Sequence, residues 1–87
     1  MKDVLDAIKK ERARQDQEWG EQNHDPFLWM TILGEEYGEA CQAALKARFN
    51  PDMDGFENYR EELIQTAAVA VAAIECLDRA KWRWSQP

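Results

Sequence analysis

The chain has 87 residues and a formal charge of −6, from 17 acidic residues against 11 Lys and Arg. That sign excludes a grip on a nucleic-acid polymer, which depends on cations releasing the counterions of the phosphate backbone. The longest apolar run, Ala67 to Ile74, is far short of the roughly 20 residues a membrane span needs, and one domain of this size buries only about 60% of its unfolded surface, so it needs stabilisation beyond a single core.

The stretch from Asp3 to about Trp19 lacks Gly and Pro and is rich in Lys, Glu, Arg, Gln and Ala, which predicts a first helix. Its apolar residues, Val4, Leu5, Ile8 and Trp19, lie at the two ends, so the middle should present a charged face. Gly20 is placed to close the helix in a left-handed conformation. After a loop from Glu21 to His24, Asp25-Pro26 supplies a capping acceptor and a proline at the first helical position. The second helix should end near Phe49. Met30, Leu33, Tyr37, Cys41, Ala44 and Arg48 recur at three- and four-residue steps, with Ala40 and Leu45 beside them, and predict its core-facing stripe. Asn50 to Gly55 is a turn-forming segment. A third helix follows from about Phe56 to about Trp82, apolar nearly all round between Leu63 and Ile74, which is the pattern of a buried helix.

The expected fold is therefore all-α: a single domain over residues 1–87, a bundle of about three long helices completed by homo-oligomerisation. Its partner would be a second copy, as a dimer or a dimer of dimers, covering the alanine-rich third helix. Cys41 and Cys76 each fall in an apolar helical stretch, and no secretory leader is evident. They are expected to be reduced core thiols of a cytoplasmic protein rather than a disulfide staple.

Carboxylates supply the functional signal. Glu36 and Glu39 stand three residues apart on the second helix, so both reach one side of it, bordering the apolar stripe. Glu62 and Gln65 repeat the spacing on the third. Like charges so placed repel by a few tenths of a kcal/mol on an exposed helix, and by more once desolvated. Two such pairs packed side by side would make an all-oxygen pocket suited to Mg²⁺, with phosphoryl transfer to water as the chemistry that follows. The competing reading is a solvated acidic rim, which is what helical glutamates usually form.

The sequence resembles the all-α nucleotide pyrophosphohydrolases of the MazG type, including their dCTP pyrophosphatase branch and the short MazG-like proteins. Glu35-Glu36-Tyr37-Gly38-Glu39 is similar to the family's EExxE, and Glu62-Leu63-Ile64-Gln65 to its ExxD. Glu11 to Gln15, Trp19-Gly20-Glu21-Gln22, His24 and Pro26 look like the segment before the EExxE helix, so the likeness covers roughly residues 8 to 78. It implies Mg²⁺- or Mn²⁺-dependent hydrolysis of a nucleoside triphosphate to the monophosphate and pyrophosphate. By the same resemblance Glu36, Glu39 and Glu62 would be metal ligands, with Glu35 a further ligand or a base that orients water. Trp19 and His24 would line the base or sugar pocket, against a core or interface anchor for Trp19 and a helix-capping loop residue for His24. Arg12, Arg14, Lys46 and Arg60 are cations that could meet the triphosphate.

Position 65 departs from the family. Gln65 can still offer a cation its carbonyl oxygen but brings no charge. Three outcomes stay open: lowered activity, action through a water, or loss of catalysis with nucleotide binding kept. The last, together with the aromatic tail Lys81-Trp82-Arg83-Trp84, defines an alternative function, a helical module that binds nucleotide or a protein partner without turnover.

Overall fold

A computed structural model describes residues 1–50 and 55–84, with side chains to residue 80. The described residues form three helices and no strand: α1 (Lys2–Trp19), α2 (Pro26–Phe49) and α3 (Gly55–Trp84). The predicted turn residues 51–54 and the side chains of the aromatic tail lie outside the described residues. No described helix is long and apolar enough to cross a membrane.

The predicted boundaries follow from local chemistry. Asp25 Oδ1 accepts the Leu28 N–H at 2.8 Å and Pro26 takes the first helical position, so α2 starts where a cap and a fixed φ coincide. Gly20 closes α1, its N–H donating to the Asp16 carbonyl at 2.8 Å. Its φ of 72° and ψ of −172° put it in an extended positive-φ region open essentially to glycine alone, rather than in the left-handed helical one expected. The chain therefore leaves α1 straight into the Glu21–His24 loop. Arg79 pins that loop to α3, its guanidinium donating to Asn23 Oδ1 at 3.0 Å and to the Gln22 carbonyl at 3.1 Å.

Both α1 and α2 pack on α3, and no described Cα of α1 comes within 8 Å of one of α2. The core is built largely of small residues: Ala40, Ala43 and Ala47 of α2 and Ala68 and Ala72 of α3, with Trp29, Val69 and Cys76 as the larger members. Alanine pairs let helix axes approach closely but bury little area, so each contributes little to stability.

Two expectations about packing are corrected. The buried stripe of α2 runs through Trp29, Glu36, Ala40, Ala43 and Ala47, with Glu36 half-buried; of the predicted stripe, Leu33 is half-buried against the core and Ala44 is half-buried, whereas Met30, Tyr37, Cys41, Leu45 and Arg48 are exposed. The observed face is one residue, about 100°, away from the predicted one. Large apolar residues dominated the sequence pattern, while close contact with α3 selects the small ones. Likewise Leu63, Val71 and Ile74 of α3 are exposed in the single chain. Cys76 is a buried core thiol as expected and Cys41 is exposed; both are free.

Candidate metal centre

Because Glu36 lies on the buried stripe of α2 and Glu62 on the side of α3 that faces it, the packing of these helices brings acids together. One oxygen each from Glu36, Glu39 and Glu62 forms a set whose members all lie within 4.8 Å of one another. Glu36 and Glu62 are half-buried and Glu39 is exposed, so the cluster is open to solvent on one side. Among the described residues, Glu36 Oε2 and Glu62 Oε2 are shielded from solvent with no hydrogen-bond partner. An acceptor left in that state costs about 1–3 kcal/mol, more when charged.

The electrostatics match the geometry. Burial pushes the Glu36 carboxyl above its ordinary value, and the charges of Glu39, Glu62, Glu11 and Glu35 add to the effect. Burial also raises Glu62, with Glu39 contributing through its charge and a carboxyl–carboxyl contact. No described cation neutralises the set within salt-bridge distance. An all-oxygen donor set with mutual repulsion and two unpartnered acceptors is one that a hard divalent cation could occupy.

Beside the cluster, where α1 and α2 diverge over α3, lies a cleft of about 260 Å³. Glu36 reaches it from the carboxylate side; Trp19, Gln22, Trp29, Gln65 and Arg14 line the rest. Arg14 stands at its edge, held at 2.7 Å by Glu11 and by a second short bond to Glu18, with its guanidinium 5.7 Å from the Trp19 ring centroid. The Arg14 hydrogen bonds hold Glu11 below the ordinary carboxylate range, so Glu11 stays charged near Glu36.

Other predicted site residues fall elsewhere. Glu35 is exposed and outside the three-acid set, though its charge still acts on Glu36. His24 is set apart from Trp19: its ring meets Trp29 edge-on at 5.0 Å, in a separate apolar groove shared with Met30, Ile74 and Leu77. Its carbonyl accepts the Cys76 thiol at 3.4 Å, and the capping role belongs to Asp25. Lys46 is exposed in the last turn of α2, about 10 Å along the axis from Glu39, and lines none of these cavities. Arg12 is committed to structure, donating to Glu75 at 2.8 Å across the α1–α3 contact.

Six residues that border the cleft were not picked out as site residues from the sequence: Glu11, Gln15, Gln22, Trp29, Ile32 and Val69. Gln15 and Gln22 lay within the segment that carried the family likeness, so their signal was order in the chain rather than spacing. Trp29 offered no signal, because its burial depends on which face of α2 meets α3.

No family model matches this chain, and no curated protein or solved structure is significantly similar to it.

Proposed function

We propose that the protein is a Mg²⁺-dependent nucleoside triphosphate pyrophosphohydrolase, releasing the nucleoside monophosphate and pyrophosphate. The observation that carries this reading is the convergence of Glu36, Glu39 and Glu62, with two shielded, unpartnered oxygens among them. The resemblance of the EExxE-like and ExxD-like segments supports the choice of reaction, and the adjoining cleft offers room for part of a substrate.

Glu36, Glu39 and Glu62 would hold the cation, which when bound neutralises charge on the phosphates and acidifies a water. The remaining work belongs to this chain's side chains. Glu35, exposed and close enough for its charge to act on Glu36, would accept a proton from a water at its carboxylate. Arg14 can exchange part of its pairing with Glu11 and Glu18 for a phosphate oxygen at the edge of the cleft. Glu36 belongs to both cleft and cluster, and so links substrate binding to the carboxylates.

The test is pyrophosphate release from a panel of nucleoside triphosphates with Mg²⁺ or Mn²⁺. Glu39→Gln should lower turnover by at least about a hundredfold. It should also abolish the stabilisation by Mg²⁺, which for a cation at a hundred times its dissociation constant is about 2.7 kcal/mol, on the order of 10 °C for a domain this size. Silence across the panel combined with an unchanged melting temperature would return the cluster to a solvated acidic rim. Silence with retained Mg²⁺-dependent nucleotide binding would favour the second reading, a binding module without turnover, for which the uncharged Gln65 is the motivating residue.

Self-association belongs to the same proposal. Met30 of α2 and Ile74 and Leu77 of α3 line one apolar groove of about 180 Å³, so the open faces of the two helices run together, and a second copy presenting the same face would cover both.

A further inference from the structure

Position 65 carries the one departure from the resembled motif, and its surroundings suggest why. Gln65 shares the cleft with two indoles and with Gln22, while Glu36 is the only member of the carboxylate set that lines it. Gln15 has its amide engaged, donating to Glu11 at 3.2 Å and accepting from Arg12 at 3.3 Å. Among the described residues the side-chain amides of Gln22 and Gln65 make no hydrogen bond. Trp29, a wall of the same cleft and 95% buried, has an Nε1–H without a partner. The cleft therefore has two unengaged carboxamides, Gln22 and Gln65, and aromatic walls, with Glu36 and the Glu11–Arg14 pair as its charged members. Its volume of about 260 Å³ is close to the lower end, roughly 300 Å³, of sites that hold small molecules.

We infer that Gln65 serves the base of the nucleotide rather than the cation, and that with Gln22, Trp19 and Trp29 it forms a neutral hydrogen-bonding seat for a planar heterocycle. This rests on the nucleotide reading above and deepens it. A carboxamide presents a donor beside an acceptor, which matches the N7 acceptor and N6–H donor of adenine rather than the paired acceptors of guanine, and glutamine pairs with adenine in this way. A carboxylate at the same place could only accept. The substitution that removes a charge from the ExxD-like segment thus supplies a two-sided reader of base edges. Trp19 and Trp29 provide apolar faces for a flat ring. Gly20, with its positive φ, turns the chain so that Trp19 and Gln22 both border the cleft.

The experiment compares the wild type with Gln65→Leu, Gln65→Glu and Gln22→Ala. Binding of the α,β-methylene analogues of ATP, CTP, GTP and UTP is followed with Mg²⁺ by tryptophan fluorescence, and the Mg²⁺-induced melting shift is measured without nucleotide. The wild type should rank the four bases over at least about a fivefold range, and Gln65→Leu should flatten that ranking while leaving the Mg²⁺ shift unchanged. Gln22→Ala lies in a loop and gives the same reading should Gln65→Leu not fold. Equal wild-type affinity for all four analogues, an unchanged ranking in the variants that fold, or a Mg²⁺ shift that weakens in Gln65→Leu and strengthens in Gln65→Glu would overturn the inference. Wild-type binding of none of the analogues would remove the nucleotide reading itself, and the inference with it.

Discussion

Glu36 occupies a place on α2 where packing alone would favour an apolar residue, one turn before Ala40 on the face that meets α3. Its carboxylate is desolvated, lies beside two others and has an unpartnered oxygen, so without a cation it weakens the fold. Glu36→Leu should therefore raise the metal-free melting stability by about 1–2 kcal/mol while removing the response to Mg²⁺, the opposite outcome from loss of an ordinary core residue. The pH dependence has a defined sign. A carboxyl whose folded value is raised binds its proton more tightly in the folded state, so its contribution falls as pH rises from the unfolded value through the raised one. In thermal melts without metal, the Glu36 and Glu62 contribution should decline as pH rises above the ordinary glutamate range. Stabilisation by Mg²⁺, which needs both groups ionised, should grow over the same interval. Differences between wild type and Glu36→Gln isolate this effect from that of Glu11, whose lowered value acts in the opposite direction.

At the scale of elements, the molecule depends on how closely its helices approach. Gly55 opens α3 against the end of α2, and a Cβ added there would meet the Ala47 Cα at 2.7 Å and its Cβ at 3.1 Å. Gly55→Ala should destabilise by about 1–3 kcal/mol although alanine is the better helix former by nearly 1 kcal/mol, because the clash is with backbone that cannot move aside. A chemical-denaturation midpoint checks this; a gain in stability would mean that α2 and α3 separate freely at that end. The two boundaries of α2 were readable from Asp25-Pro26 and the Asn50-Pro51 turn signal because caps and prolines act locally. Which face α2 turns inward was not readable. Met30, Tyr37 and Cys41 make a helical stripe as regular as Trp29, Glu36 and Ala40, and only the alanines of α3 select between them.

The whole molecule is elongated, 53 × 24 × 24 Å, with a radius of gyration of 15.0 Å against about 12 Å for a compact chain of this length. Three helices leave Met30 and Tyr37 65% exposed and Ile74 58% exposed, an apolar surface that a stable monomer rarely carries. On the proposed self-association, Ile74→Glu should shift the protein to a smaller species by light scattering and lower its melting temperature, since the charge would be buried in both copies. An unchanged mass would show that this face is not where copies meet.

The sequence alone determined the number, order and ends of the helices, because helix propensity, capping and turn chemistry are local properties. It also marked the acids at 36, 39 and 62, since spacings of three residues place side chains on a common flank wherever the helix packs. Only tertiary structure could decide which face of α2 meets α3, that oxygens from two helices meet within 4.8 Å, and that His24 and Trp19 belong to different cavities. Each of those depends on the rotation of one helix against another, and that rotation is set by side-chain volumes on both.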